Sequence, residues 1–217
     1  MPDIARLHYF PGTCAQVTAS ALEHVGLPFG LALMDLRSKE ARANYAAVNP
    51  RGKVPALELE GRVLTENAAI LWYLHQRFPQ SSLMPVADDA ITACRHLADL
   101  LWCSSTLHPM VRQVRMPTLW TQGDPAQVYA DGEAKLAKEA ERLSAKFGAE
   151  GWWYGAEWSI VDTYLWWGFR NAERGGFNLE AFPLMLRHAQ RVEGLPSTRR
   201  ALAREADLGL GPGPTRK

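Results

Sequence analysis

The sequence is poor in cysteine, has no long apolar run and carries no excess of charge of one sign. Three cysteines in 217 residues cannot form a disulfide framework, and an odd count is typical of a reducing compartment. No apolar stretch is near the roughly 18 residues that a membrane span needs, which excludes a spanning helix. Lys+Arg total 24 and Asp+Glu 23, without the basic block that indicates a nucleic-acid partner.

The beginning of the chain also lacks the apolar segment of a secretion signal, so we expect a cytoplasmic protein that does not bind membranes. What is present is an ordinary globular composition. The residue set AVILMFWYC makes up 47% of the chain and charged residues 22%, which is enough apolar material for a packed core. The length of 217 residues fits one large domain or two small ones.

The first 80 residues alternate strand-like and helix-like patterns. In chain order, the patterns predict a strand at 4–9, a helix that Gly26 ends, a strand at 30–34, a helix at 39–47, a hairpin of strands at 55–59 and 62–64, and a helix at 66–78. The order βαβ followed by ββα indicates an α+β domain.

After this region the strand signal stops. Helical patterns follow at 88–120, with a kink near Pro109, at 126–147, from Ser159 onward, and in two shorter segments. Strands first and helices afterwards favour two domains. We therefore expect an α+β domain at 1–80, a linker at 81–87, an all-α domain at 88–208 and an unfolded tail at 209–217.

One helix start in the second half carries a capping signal. The segment Ser159-Ile160-Val161-Asp162 fits a capping box, with Asp in place of the usual Glu or Gln. The other interpretation is a catalytic Ser–Asp pair, but no histidine lies nearby in the sequence. We therefore favour a structural cap.

Cys94 and Cys103 lie nine positions apart in a helical pattern and point to opposite sides of that helix. They cannot share a metal ion, and we predict no metal site. We expect both to be small buried apolar residues. Cys14 differs, because it follows a Pro-Gly turn at a predicted helix start, where unpaired amides and the helix dipole stabilise a thiolate.

Three further features accompany Cys14 in the predicted α+β domain. A cis bond between Val54 and Pro55 would leave the Val54 backbone free to pair with an extended peptide, although Pro55 also fits a strand edge. Glu66 precedes another helix start, which suits a bound carboxylate or is simply a favourable first-turn charge. Lys39 offers a partner for a second carboxylate. Together these features describe a site for a peptide with a central thiol and a carboxylate at each end.

These residues also carry a resemblance to a known family. The segments concerned are Tyr9-Phe10-Pro11-Gly12-Thr13-Cys14, Asp35-Leu36-Arg37-Ser38-Lys39, Asn49-Pro50-Arg51-Gly52-Lys53-Val54-Pro55-Ala56-Leu57, Leu64-Thr65-Glu66-Asn67, Ser104-Ser105-Thr106-Leu107-His108 and Ser159-Ile160-Val161-Asp162. In this order they resemble the cytosolic glutathione transferases, and most of all the bacterial beta class, which has a cysteine at the helix start. The resemblance extends over nearly the whole chain, up to about position 206.

The resemblance implies a thioredoxin-like N-terminal domain, an all-α C-terminal domain and a homodimer. It also implies glutathione as co-substrate, bound by Cys14, Lys39, Lys53, Val54, Pro55, Glu66 and Asn67. The catalytic residues that it implies are Cys14, Thr13 and His108. In this sequence Asn67 stands where the family usually has Ser, and Pro109 stands where many beta-class members have Lys.

The expected activity is the transfer of glutathione to a small hydrophobic electrophile, as in detoxification. Cys14 either donates a hydrogen bond to the glutathione sulfur or acts itself as the nucleophile in thiol exchange. The pattern Cys14-Ala15-Gln16-Val17 lacks a second cysteine, which disfavours a dithiol redox centre. Tyr9 is a rival donor for which core packing is favoured, and for His108 catalysis and packing stay equally open. The alternative function is a non-catalytic binding module on the same fold.

Overall fold

The computed structural model describes residues 4–35, 37–147 and 151–209. These residues form two compact units: the first comprises the described parts of 4–83 together with 196–209, and the second comprises 84–147 and 151–195. The predicted tail at 209–217 lies outside the described residues, except for Gly209.

The elements follow in chain order. They are β1 (Ala5–Tyr9), α1 (Ala15–Val25), β2 (Phe29–Leu33), α2 (Lys39–Tyr45), β3 (Ala56–Leu59), β4 (Arg62–Thr65), α3 (Asn67–Arg77), α4 (Ala90–Trp102), α5 (His108–Arg115), α6 (Pro125–Phe147), α7 (Ile160–Arg174), α8 (Pro183–Gly194) and α9 (Pro196–Ala206). The predicted order βαβ followed by ββα is confirmed, with boundaries that differ by one or two residues.

The sheet of the first unit is mixed. Its strand order is β2-β1-β3-β4, with β1 parallel to β2 and β3 antiparallel to both β1 and β4. Leu7 and Leu57 face each other across β1 and β3, and both are fully buried. Because the two strands are antiparallel, the end of β1 lies beside the beginning of β3. The turn that follows β1 and the segment that precedes β3 therefore adjoin the same region of the sheet.

Helix α1 is buried on every side over its first two turns. Every residue from Ala15 to Leu22 is buried, and Val17, Ala21 and Leu22 are fully so. Gly26 ends the helix with a left-handed φ of 71°, and its amide donates to the Leu22 carbonyl. Glycine adopts this conformation without a Cβ penalty, which explains why the helix stops here.

Helix α9 packs on α1 and so belongs to the first unit. Arg200 donates from Nε to a carboxylate oxygen of Glu23 at 2.7 Å, and Arg204 donates to the other oxygen. Burial acts to raise the pKa of Glu23, but the two guanidinium groups outweigh it and hold that pKa below its usual value. The expected helical domain at 88–208 thus includes a helix that packs within the sheet-bearing unit.

The long helix predicted at 88–120 is divided in the structure. A π-helical turn, Cys103–Leu107, separates α4 from α5, and the amide of His108 donates to the Cys103 carbonyl. Pro109 is not the kink itself; it lies in the first turn of α5, where a missing amide proton costs little. Helix α5 ends at Arg115, five residues earlier than expected.

The capping box at α7 is confirmed. The Asp162 carboxylate accepts from the Ser159 amide at 2.9 Å and from its hydroxyl at 2.8 Å. Of the two cysteines in the second unit, Cys103 is buried as predicted, and burial raises the pKa of its thiol. The prediction for Cys94 was wrong: this residue lies on an exposed side of α4.

Candidate functional site

The turn between β1 and α1 is closed by its own hydrogen bonds. Gly12 has a φ of 75°, a left-handed conformation that glycine adopts readily. The amide of Thr13 donates to the Phe10 carbonyl at 3.3 Å, and the Thr13 hydroxyl donates to the same carbonyl at 2.6 Å. The turn therefore delivers the chain into α1 with a fixed geometry.

Cys14 is the residue from which α1 starts, as the sequence predicts. Its side chain does not cap the helix and is 6% exposed. The Sγ atom lies 3.8 Å from the backbone carbonyl oxygen of Val54. The thiol is thus at the positive end of a helix dipole, where it donates to the backbone of the segment that enters β3.

Thr13 has its hydroxyl proton directed away from the cysteine. The hydroxyl donates to the Phe10 carbonyl and accepts from the Ala15 amide at 3.4 Å. A hydroxyl has one proton to donate. For Thr13 to donate to a sulfur atom, as the resemblance implies, it would have to give up its bond to Phe10.

The bond between Val54 and Pro55 is cis, as predicted. Lys53, the residue before, is held through its backbone carbonyl, which accepts from the Tyr45 hydroxyl at 3.0 Å and from the Asn49 side-chain amide at 2.7 Å. The Val54 side chain packs against a small cluster formed by Met34, Tyr45 and Ala56. The segment that faces Cys14 is therefore fixed from both its polar and its apolar side.

Glu66 immediately precedes α3 and has an uncommon backbone conformation. Its φ of 68° and ψ of 117° lie in a region that non-glycine residues rarely adopt. Such residues concentrate at ligand-binding sites, where the surrounding structure holds them in place. The carboxylate is exposed, and Arg51 approaches it with Nη1 at 3.4 Å from Oε1. Arg51 lies within a motif named above, but no local pattern distinguishes it from its neighbours in the chain.

Asn67, the first residue of α3, has its side chain turned into the protein and is 5% exposed. Its Nδ2 donates to the backbone carbonyl of Cys14 at 3.2 Å, and its Oδ1 accepts from the Thr18 hydroxyl at 2.5 Å. The side chain thus ties the start of α3 to the first turns of α1. The shorter side chain of serine could not make these two contacts in the same way.

The two lysines of the predicted site are exposed. Lys39 is the first residue of α2, which Ser38 caps by accepting from the Ala41 amide at 3.2 Å. Lys53 adjoins Val54 in the chain. Both ammonium groups are therefore available to an anionic ligand, and their contacts with glutathione stay a prediction.

His108 belongs to the second unit. It is half-buried at the start of α5, and its ring packs edge-on against Trp167 with the centroids 4.5 Å apart. The aromatic contact agrees with the packing interpretation and leaves the catalytic one as a prediction.

One buried group near Cys14 was missed from the sequence. Glu205, on α9, accepts from the Tyr9 hydroxyl and from the amide of Gly12 at 3.0 Å, as well as from the side chain of Gln16. Tyr9 itself is buried, in agreement with core packing. Because Glu205 is almost 200 residues from these partners, no local pattern could reveal it.

Two properties of the described residues bear on other functions. Within 4–35, 37–147 and 151–209, no group of three or more His, Cys, Asp or Glu side chains is arranged to hold a metal ion. In the same part of the chain, no helix has the length and apolar character needed to cross a membrane.

Comparison with known proteins bears directly on the family. The family model for the glutathione S-transferase N-terminal domain matches residues 12–77. The glutathione S-transferase GstA of Escherichia coli O157:H7 is 31% identical over 204 residues, which cover 92% of this chain and 98% of that protein. The chain belongs to the glutathione S-transferase family. The resemblance to this family that was inferred from the sequence is confirmed, including the similarity to its bacterial beta class.

Two further similarities extend the comparison. A maleylacetoacetate isomerase of Pseudomonas aeruginosa is 32% identical over 161 residues, covering 72% of this chain and 74% of that protein. The structure of a sphingomonad glutathione S-transferase complexed with glutathione superposes with a TM-score of 0.80 at 28% identity, covering 93% of this chain and 98% of that one. The glutathione transferase fold, a thioredoxin-like unit and a helical unit, is therefore confirmed.

Proposed function

We propose that this member of the glutathione transferase family binds glutathione in its first unit and transfers it to a small hydrophobic electrophile. The observation that carries the proposal is the position of Cys14. Its thiol lies at the start of α1 and 3.8 Å from the Val54 carbonyl, while Asn67 joins the Cys14 backbone to the helix that Glu66 precedes. This arrangement supports a site that receives a thiol beside Cys14, pairs with an extended peptide at Val54 and holds a carboxylate near Glu66.

The chemistry begins with the thiolate. A thiol with a pKa of ~8.5 is only slightly ionised at neutral pH, and lowering the pKa by one unit is worth ~1.4 kcal/mol. The amides at the start of α1 supply such stabilisation to the glutathione sulfur beside Cys14. The thiolate then attacks an electrophilic carbon, a sulfur–carbon bond forms, and the leaving group departs with its electron pair.

Thiol exchange is a second reaction that the same site supports. The Cys14 thiolate attacks the glutathione sulfur of a mixed disulfide, a new disulfide to Cys14 forms, and the other thiolate leaves. A second glutathione, as its thiolate, then attacks the glutathione sulfur of this disulfide, which releases oxidised glutathione and the Cys14 thiolate. The mixed disulfide is the oxidant, so no second cysteine is required.

A second candidate function is glutathione-dependent isomerisation, which the similarity to a maleylacetoacetate isomerase favours. In that reaction the thiolate adds to a conjugated double bond, the resulting single bond rotates, and the thiolate leaves again. The net composition does not change. This reaction needs the same thiolate site and differs only in the acceptor.

We further propose that Lys39, Lys53 and the backbone of Val54 and Asn67 hold glutathione, that His108 faces the electrophile, and that the protein is a cytoplasmic homodimer. The relatives named above as enzymes favour catalysis over the alternative of a non-catalytic binding module.

The proposal is tested by retention on immobilised glutathione, followed by transfer and exchange assays of native protein and Cys14→Ala. We expect retention of the native protein and turnover with at least one electrophile. We expect Cys14→Ala to lose thiol exchange, since no thiolate remains to attack, and to keep glutathione binding through the backbone contacts. Cys94→Ala is the matched control because its thiol is exposed on α4, in the other unit.

Two results would contradict the proposal. If native protein neither binds glutathione nor turns over a thiol substrate, the binding-module alternative replaces it. If Cys14→Ala retains full exchange activity, Cys14 is not the nucleophile of the exchange, and only the amides at the start of α1 and Thr13 remain as activators of glutathione.

A further inference from the structure

One buried carboxylate contacts the chain on both sides of Cys14. Glu205 is 8% exposed. Its Oε2 accepts from the Tyr9 hydroxyl and from the amide of Gly12, which lies 3.0 Å away. The side-chain amide of Gln16 donates to both carboxylate oxygens, each at 3.0 Å. The three donors lie at the end of β1, in the turn and in the first turn of α1, so a single group joins the segments that flank the cysteine.

The arrangement matches what a buried carboxylate requires. Burial of a charged group costs free energy unless its oxygens are hydrogen-bonded. All four bonds to Glu205 come from donors, and an ionised carboxylate is an acceptor only. The four bonds therefore satisfy the buried carboxylate, and the Gly12 amide has a buried acceptor on a distant helix.

Helix α9 is attached to the first unit by contacts other than this carboxylate as well. Arg200 and Arg204 both pair with Glu23 near the other end of α1. The Arg204 guanidinium also lies over the ring of Phe29, 4.5 Å from its centroid. Glu205 therefore adds contacts where the turn is, beyond what the two arginines supply.

We propose that Glu205 is a positioning residue for glutathione transfer: it holds the turn before Cys14 and the first turn of α1 in the geometry that the reacting sulfur requires. This inference rests on the proposed function. Glu205 acts through Gly12 and Gln16, and no contact with glutathione is assigned to it. A displacement of about 1 Å at a reacting group lowers rates by up to about 100-fold, so a rigid turn matters for turnover.

The test compares three variants of the full chain. Glu205→Ala removes every acceptor. Glu205→Gln keeps one oxygen for Tyr9 and Gly12, while Gln16 can rotate its amide to present its own oxygen to the new amide group. Arg200→Ala is the matched control, because it weakens the same helix on the same partner helix and leaves the turn untouched. The readouts are kcat and KM for glutathione in the transfer assay, and hydrogen exchange of the Gly12 amide by NMR.

We expect Glu205→Ala to lower kcat by about 10-fold to 100-fold, with KM for glutathione changed by less than about twofold. We expect its Gly12 amide to exchange at least about tenfold faster, since the acceptor of that amide is gone. Glu205→Gln should retain both properties within about threefold, and so should Arg200→Ala. If Glu205→Ala does not fold, Tyr9→Phe replaces it; this variant keeps the ring and should show a smaller loss of kcat at unchanged KM.

Two outcomes overturn the inference. One is an equal loss of kcat in Arg200→Ala and Glu205→Ala, which would mean that only the attachment of α9 matters. The other is unchanged kcat and unchanged Gly12 exchange in Glu205→Ala, or unchanged kcat in Tyr9→Phe where that variant replaces it. A failure of the proposed function is distinguishable, because the native protein would then lack glutathione turnover while the Gly12 exchange data would still report whether Glu205 fixes the turn.

Discussion

Asp162 in the second unit and Glu205 in the first are both buried carboxylates, yet they join different kinds of segment. Asp162 is fully buried and accepts from the amide and hydroxyl of Ser159 and from the amide of Trp153 at 2.8 Å. It also meets Nε2 of His188 at 2.9 Å. Glu205 instead binds the β1–α1 turn from a helix at the other end of the chain.

The difference lies in the distance that each carboxylate bridges along the sequence. Asp162 caps its own helix, and its partners come from the preceding loop and from α8, all within 26 residues. It stabilises the packing of the helical unit. Glu205 bridges up to 196 residues and ends at the proposed catalytic turn. We infer that the first carboxylate serves stability and the second serves the geometry of the site.

The largest effect that tests this comparison is expected for Asp162→Asn. An amide cannot accept all the hydrogen bonds that the carboxylate accepts, and each buried donor left without an acceptor costs about 1–3 kcal/mol. We expect a loss of that size in the free energy of unfolding, measured by urea denaturation. At a temperature where the variant is folded, kcat should equal that of the native protein. A fall in kcat with Asp162→Asn would remove the distinction between the two carboxylates.

A smaller effect is expected for Asn67→Ser, which installs the residue that the family usually has. The change removes the acceptor of the Thr18 hydroxyl and one donor to the Cys14 carbonyl, which still accepts from the Val17 amide at 3.0 Å. An unsatisfied buried hydroxyl costs about 1–3 kcal/mol. We expect a decrease of that size in the free energy of unfolding. Glutathione affinity should change little, because the Asn67 backbone amide is retained.

Thr18→Val separates the two contacts of Asn67, since it removes the hydroxyl bond and leaves the bond to Cys14 intact. If Asn67→Ser is as stable as the native protein, the inward contacts of Asn67 contribute nothing, and its role is limited to the helix start.

The smallest effect concerns the attachment of α9 and depends on pH. Because the pKa of Glu23 is lowered in the folded protein, its ion pairs contribute stability above the unfolded pKa, and this contribution is lost as the pH falls through the lower folded pKa. Arg200→Ala should therefore be less stable than native protein at neutral pH, by about 0.2–1 kcal/mol for a pair with an exposed partner.

The measurement is thermal unfolding of both proteins at a series of pH values. The difference in Tm between them should shrink as the pH is lowered past the pKa of Glu23. A difference that stays constant over the acid range would show that Arg200 acts by packing and not by charge.

Whether the prediction for a residue was correct depends on how local the sequence pattern behind it is. Gly26 ends α1 and Ser159 starts α7 as predicted, because a left-handed stop and a capping box are encoded within four residues. The prediction of one long helix at 88–120 was wrong about where the helix ends. The π-helical turn and the end at Arg115 have no strong local signal in the sequence. Cys94 was expected to be buried, but a lone cysteine on a helix carries no information about which side is covered.

The sequence by itself determined the order of the elements, the family, and the residues at the starts of α1 and α3, because turns, caps and helix starts depend on neighbours in the chain. Only the tertiary structure decided where Asn67, Arg51 and Glu205 direct their polar groups. It also decided that α9 joins the sheet-bearing unit. These contacts bridge from 15 to 196 residues, and a hydrogen bond between such distant positions is fixed by packing, which no local pattern of side chains encodes.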